Sequence, residues 1–131
     1  MGGLTALTKT ELQRLAEQAQ RERLERTLLF QLRAAGLPEP QTQYQFGKWV
    51  VDFAWPQSML LCEAQGGTWL PGGGRHSRGA GYAEDCRKLH RAQMLGWHVV
   101  YVTADMIESG EALEMIEEAI TFRVGPGGDF G

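Results

Sequence analysis

The 131-residue sequence predicts a single α/β domain, a central mixed sheet flanked by helices in the order αβββαβα. Three observations indicate this class. Leucines recur at helical spacing near the N-terminus, the apolar period changes to two from Tyr44 onward, and glycines separate the third strand from the next helix. The length suits one compact domain, which we expect to cover residues 1–124.

The first helix is predicted over about residues 9–35. Thr8 and Glu11 have the spacing of a capping box, and Gly36 is expected to end the helix. Its apolar stripe is formed by Leu12, Leu15, Leu24, Leu28, Leu29 and Leu32. The helix is therefore expected to pack on the sheet along much of its length.

A hairpin is predicted next, with strands at 44–46 and 49–55 and a turn at Gly47 and Lys48. Strict alternation would place four large residues on one face, namely Trp49, Val51, Phe53 and Trp55. A third strand is predicted at 59–65.

Seven of the 17 glycines fall within residues 66–81, which predicts a mobile loop there. A helix over about 81–95 and a strand at 97–103, buried on both faces, are expected to follow. The helix residues predicted to face inwards are Tyr82, Cys86, Leu89 and Gln93 or Leu95. One further helical region begins near Asp105, and the tail at 125–131 is expected to be disordered.

The net charge of −3 is unevenly distributed. Residues 105–131 hold seven acidic residues and one basic residue, whereas the rest of the chain has 12 basic and 9 acidic residues. Five basic residues lie close together in the sequence: Arg75, Arg78, Arg87, Lys88 and Arg91. Since charges more than ~10 Å apart are largely screened at ~0.1 M salt, a local basic face would attract a polyanion despite the total. An ordinary solvated mixture of charges is the alternative.

The cysteines and the apolar runs point to a cytoplasmic protein. Cys62 and Cys86 predict neither a disulfide framework nor a zinc site. No run approaches the ~20 apolar residues of a membrane span, and the N-terminus lacks a basic-then-apolar signal pattern.

Three acidic residues occupy positions where apolar side chains are expected. Asp52 lies within the apolar run 50–55, and Glu63 lies in the next strand. Glu25 belongs to the stripe of the first helix, since leucines follow it at three, four and seven positions. An unpaired buried carboxylate costs at least several kcal/mol, and a divalent cation with oxygen ligands removes that cost. The acids therefore predict a metal site, with ion pairs or rim positions as the alternative.

The acids stand in a pattern that resembles the PD-(D/E)XK nuclease motif, an Asp followed by Glu-x-Lys on the next strand. Here Asp52 is followed by Glu63-Ala64-Gln65, with Gln65 in the lysine position. The stretch 25–33 resembles the first helix of the very short patch repair endonucleases, and the glycine-rich block 66–79 resembles small phage-encoded nucleases. The resemblance covers roughly residues 22–120, and archaeal-type Holliday junction resolvases share this fold and acid set.

This resemblance implies a restriction endonuclease-like fold and a metal-dependent DNA endonuclease, from a bacterium or a phage and acting in the cytoplasm. It implies that Asp52, Glu63 and the backbone carbonyl of Ala64 hold Mg²⁺ or Mn²⁺. Glu25 would bind the ion directly or through water. Such an ion lowers the pKa of a bound water and stabilises charge on the phosphate.

The departure from the motif concerns the lysine. Gln65 would position the attacking water but supplies no positive charge. Lys88 from the following helix or His76 from the loop would offset charge in the transition state, with Arg78 as a further alternative. Lys88 as a surface residue on a basic helix face is the competing interpretation.

The implied DNA contacts are phosphate contacts from Arg75, Arg78, Arg87 and Arg91. Trp69 would wedge or stack at a distorted site, or it closes the edge of the core. No element resembles a major-groove recognition helix, so we expect DNA structure to be read, as in a Holliday junction or branched DNA. Cutting two strands of a four-way junction requires two active sites, and a homodimer is the simplest way to provide them.

Three other interpretations remain open from the sequence. One is a restriction-like or mismatch-nicking endonuclease. A second is a catalytically inactive nuclease-fold module that binds DNA or a partner protein. The third is a non-nuclease protein in which the acids are structural.

Overall fold

A computed structural model of the chain describes residues 6–64 and 79–124. Within these ranges it confirms the α/β class, with helices flanking a four-stranded mixed sheet. The elements in chain order are α1 (Lys9–Ala34), β1 (Gln41–Phe46), β2 (Trp49–Trp55), a short 3₁₀ turn (Pro56–Ser58), β3 (Leu60–Ala64), α2 (Gly79–Met94), β4 (His98–Val102), α3 (Ala104–Ser109) and α4 (Glu111–Val124).

The strands are arranged in the order β1-β2-β3-β4. β1, β2 and β3 form an antiparallel meander, whereas β4 lies parallel to β3. A parallel neighbour requires a crossover connection, and the segment that contains α2 provides it. Cys62 of β3 is thereby flanked by Phe53 of β2 and Val100 of β4 at the centre of the sheet.

The capping box of α1 is confirmed. The Thr8 hydroxyl accepts from the Glu11 amide at 3.1 Å, and the Thr8 amide donates to the Glu11 carboxylate at 2.7 Å. The predicted apolar stripe is buried only in the second half of the helix, where Leu24, Leu28 and Leu32 are fully covered. Leu12 and Leu15 in the first half are exposed.

The sheet has a core on each face. The larger core joins β2, β3 and β4 to α1, α3 and α4 through residues such as Leu28, Phe53 and Ile116. The smaller core lies on the α2 side and contains Phe46, Val51, Ala54, Leu61 and Ala92. The layers therefore place α2 alone opposite the other helices.

The predicted face of β2 is wrong. Val51 and Phe53 would share a face in a regular strand, yet Val51 belongs to the smaller core and Phe53 to the larger one. The reason lies at Gln43, which is opposite Asp52 and has the left-handed φ of +50° within β1. This conformation is unusual for a residue with a side chain, and it breaks the alternation of the hairpin at Asp52.

The predicted orientation of α2 is also wrong. Tyr82 is 60% exposed, Leu95 is 53% exposed and Cys86 is exposed, whereas Leu89 is half-buried and Ala92 is buried. The helix begins at Gly79, so the last residues of the predicted mobile loop 66–81 are helical, and the rest of that loop lies outside the described residues. Polar contacts with the sheet, described below, determine the inner face of α2. The spacing of apolar residues does not predict such contacts.

The final helical region is divided in two. Gly110 adopts a φ of +90° between α3 and α4, and this left-handed residue ends the first of them. The predicted disordered tail lies outside the described residues. No helix in the described ranges has the length and apolar character needed to cross a membrane.

The packing of α1 generates a stability prediction. Leu28→Ala removes a fully buried side chain from the larger core and should lower the free energy of unfolding by about 3 kcal/mol. Phe30→Ala on the same helix is the matched control, since Phe30 is 74% exposed and its loss should change stability by less than about 0.5 kcal/mol. Urea unfolding followed by circular dichroism measures both, and equal losses would contradict the packing.

Candidate active site

Strands β2 and β3 separate at the two carboxylates. Their pairing runs from Trp55 and Leu60 to Phe53 and Cys62. Asp52 and Glu63 are the next residues, one on each strand. There a side-chain hydrogen bond replaces the backbone pairing. An Asp52 carboxylate oxygen (Oδ2) accepts a hydrogen bond from the backbone N–H of Ala64 at 2.9 Å. The sheet therefore presents two half-buried carboxylates at a fork between neighbouring strands.

Glu63 forms an ion pair with Lys88 of α2. The two side chains are 15% and 12% exposed, so the pair is largely shielded from solvent. Lys88 is thus not the surface residue of the alternative interpretation. The pair also explains the orientation of α2, because the inner face of the helix carries a cation to meet the acid of β3.

Glu25 reaches the fork through Gln43. The Gln43 amide donates to the Glu25 carboxylate (Oε2) at 3.1 Å, and the same side chain lowers the pKa of Asp52. The left-handed backbone of Gln43 lies at this junction. Strained backbone persists where the surroundings over-determine it, and it concentrates at functional sites.

The environment of the two carboxylates disfavours their charge. Burial raises the pKa of Asp52, against the Ala64 N–H, the charges of Arg21 and Lys88, and the Gln43 hydrogen bond, which all lower it. Burial likewise raises the pKa of Glu63 to about 7 in spite of Lys88, and the negative charges of Asp52 and Asp85 add to the rise. Burial raises the pKa of both acids, and the Asp52 charge raises that of Glu63 further, so the site favours an additional positive charge.

These oxygens fit a divalent cation in part. Among residues 6–64 and 79–124, no group of three or more His, Cys, Asp and Glu side chains lies close enough to hold a metal ion. Asp52 and Glu63 are brought together, whereas Glu25 is joined to them through Gln43 rather than forming one cluster with them. Mg²⁺ keeps several waters and is often bound through only one or two carboxylates, so this donor set suits it better than a site of protein ligands alone.

Two residues near the fork were missed by the sequence analysis. Gln43 lies in a polar strand that offers no signal for it. Tyr101 of β4 is the register partner of Glu63, and burial together with the charges of Glu63 and Asp85 raises its pKa to about 12. Tyr101 stands in an otherwise valine-rich strand, which is a weak signal. Hydrophobic periodicity does not distinguish such a residue from one that only packs in the core.

The predicted DNA-contacting residues divide between described and undescribed parts of the chain. Arg87 and Arg91 lie exposed on α2, and Arg87 donates to Glu84 at 3.0 Å. The remaining predicted site residues, Gln65, Trp69, Arg75, His76 and Arg78, lie outside the described residues.

The Lys88–Glu63 pair generates a pH-dependent stability prediction. The pKa of Glu63 is raised from its ordinary 4.5 to about 7, so the folded chain holds this proton more tightly than the unfolded chain. The carboxyl therefore opposes folding increasingly as the pH rises from 4.5 through about 7. Lys88→Met removes the cation that limits this effect. It should cost little at pH 5, where Glu63 is protonated, and about 3 kcal/mol at pH 8.5.

Urea unfolding of wild type and variant at the two pH values checks this expectation. Glu63→Gln combined with Lys88→Met removes the titrating group, so the extra loss at high pH should disappear in the double variant. A Lys88→Met cost that is the same at both pH values would show that the pair does not govern the Glu63 charge.

Comparison with known proteins finds no family model that matches the chain, and no curated protein or solved structure significantly similar to it. The geometry at Asp52, Glu63 and Lys88 is therefore what supports a function for the chain.

Proposed function

We propose that the chain is a divalent-metal-dependent DNA endonuclease of the PD-(D/E)XK type, which hydrolyses phosphodiester bonds. The observation that carries the proposal is the fork itself. Two half-buried carboxylates, Asp52 and Glu63, stand on diverging neighbouring strands with Lys88 beside them. A purely structural role gives no reason to keep two desolvated acids, each with a raised pKa, on neighbouring strands, because their burial costs stability.

In this proposal Asp52 and Glu63 hold Mg²⁺ or Mn²⁺, together with the Ala64 carbonyl and waters. Glu25 acts through Gln43 or through a water, in keeping with its place behind Asp52. The bound ion would supply a water of lowered pKa and charge stabilisation at the phosphate. The Ala64 N–H holds one oxygen of Asp52 and leaves the other for the ion.

Lys88 is the residue we propose in place of the motif lysine. It is held against Glu63 by an ion pair, which places a positive charge beside the metal-binding oxygens. An ammonium group there would stabilise negative charge that develops on the phosphate during hydrolysis. Gln65, which occupies the lysine position of the motif, would orient the attacking water.

The proposed substrate is branched or distorted DNA, such as a Holliday junction, cut by a homodimer in the cytoplasm. Arg87 and Arg91 support an anionic partner, because both are exposed on the helix that carries Lys88. Phosphate contacts from such residues position DNA without reading bases. A preference for DNA structure over sequence follows from this kind of contact.

The test is cleavage of a four-way junction, a nicked duplex and a linear duplex, each with and without Mg²⁺. Wild type should cut in the presence of Mg²⁺, and Asp52→Asn and Glu63→Gln should each lower the rate by about 100-fold or more. The asparagine keeps an oxygen for the Ala64 N–H, so Asp52→Asn should retain the fold and the thermal stability of wild type. Loss of activity in that variant then reports chemistry rather than unfolding.

Glu39→Gln is the matched control, because Glu39 is an exposed acid that pairs with Arg33 rather than with the residues of the fork. It should cut like wild type. Cutting of all substrates alike at a particular sequence would indicate a restriction-like enzyme instead. Binding without any Mg²⁺-dependent cleavage, or equal rates in wild type and both site variants, would contradict the proposal.

A further inference from the structure

A groove of about 710 Å³ lies between α2 and the turn that joins β1 to β2. Its volume falls within the range of about 300–1,000 Å³ that is usual for small-ligand sites. Its walls come from two elements that also contribute to the fork: β2, which carries Asp52, and α2, which carries Lys88. The groove is a neighbour of the candidate active site, distinct from it in lining.

The rim of the groove is basic. It is lined by Lys48 from the turn and by Arg87, His90 and Arg91 from α2. One acid, Glu84, faces this group and holds Lys48 at 3.5 Å and Arg87 at 3.0 Å. Three Lys and Arg charges against one carboxylate leave an excess of positive charge, which suits an anion.

The floor of the groove is apolar. Phe46, Trp49 and Leu95 line it, and Leu95 is exposed although it is large and apolar. The Trp49 indole N–H donates to Glu84 at 2.7 Å, so the ring is fixed in place. The Lys48 ammonium lies over the Trp49 ring, 5.3 Å from its centroid, so the ring and the Leu95 side chain form an apolar surface bordered by cations.

We propose that this groove binds an unpaired nucleotide of a DNA strand, with its base on the apolar floor and its phosphates at the basic rim. The inference rests on the proposed function and adds the substrate class to it. Bases in a duplex hide their faces by stacking, whereas unpaired bases expose them to aromatic side chains. An apolar floor with a cationic rim is therefore complementary to single-stranded DNA rather than to an intact duplex.

The position of the groove suits a strand that leaves the fork. Trp49 precedes Asp52 by three residues on β2, which corresponds to about 10 Å at ~3.3 Å per residue. On α2, Arg87 and Arg91 lie on either side of Lys88 in the sequence. A substrate with an unpaired segment next to the cleaved bond, as at a branch or a flap, would thus occupy the fork and the groove together.

The test is binding without cleavage, measured by fluorescence anisotropy in EDTA. The probes are a twelve-nucleotide oligo-dT, an abasic strand of the same length and a blunt twelve-base-pair duplex. Oligo-dT should bind at least about 10-fold more tightly than the abasic strand, because base stacking supplies part of the affinity. It should also bind more tightly than the duplex.

The groove variant is Lys48→Ala combined with Arg91→Ala, which leaves the Glu84 contacts with Arg87 and Trp49 in place. It should weaken oligo-dT binding at least about 10-fold, and the slope of log affinity against log salt should fall by about 1.4, since each lost phosphate contact on a single strand is worth ~0.7. Lys9→Ala combined with Arg14→Ala removes the same charge from α1 and should leave oligo-dT binding unchanged.

Equal binding of oligo-dT and the abasic strand, tighter binding of the duplex, or equal losses in the two double variants would overturn the proposal. Cleavage assays separate it from the proposed function. If Mg²⁺-dependent cutting is lost in Asp52→Asn while the groove variant binds oligo-dT as wild type does, the groove proposal fails and the nuclease proposal stands. If the protein never cuts DNA but the groove variant weakens oligo-dT binding, the nuclease proposal fails and the groove proposal stands.

Discussion

The hydrogen bond from the Ala64 N–H to the Asp52 carboxylate is the contact on which the rest of the site depends. It lies where the pairing of β2 and β3 stops, so a side chain holds together two strands that the backbone ladder no longer joins. Asp52 and Glu63 lie half-buried on adjacent strands, where burial raises the pKa of both and the Asp52 charge adds to the rise at Glu63.

The orientation of α2 follows from this fork. Glu63 needs a cation, and Lys88 provides it from the inner face of the helix, while Glu84 ties the same helix to the hairpin turn through Trp49 and Lys48. These polar contacts turn Tyr82, Cys86 and Leu95 outward. The orientation of α2 thus places Lys88 against Glu63 and leaves Arg87 and Arg91 exposed on the side of the groove.

The parts of this architecture that could be predicted from the sequence are those that depend on local rules. The Thr8 capping box, the hairpin turn and the order of elements along the chain follow from spacing in the sequence, and Asp52 and Glu63 are conspicuous as acids in apolar runs. Which side chains of β2 and α2 point towards the core could not be predicted, because contacts with residues distant in sequence determine it. Gln43 is opposite Asp52 only once the hairpin has closed, and Lys88 meets Glu63 only once α2 has crossed over the sheet.

The net charge of −3 is consistent with an anionic partner once the burial of individual charges is considered. Asp52 and Glu63 are shielded within the fork, and Glu63 is matched by Lys88, so neither projects a full negative charge outward. Much of the remaining acidity lies on α3 and α4, which pack on the face of the sheet opposite α2. Because charges on opposite faces are screened from each other over about one Debye length, ~10 Å, a polyanion that approaches α2 meets Lys48, Arg87 and Arg91 rather than the total. The fold therefore separates in space two populations of charge that the sequence sums into one number.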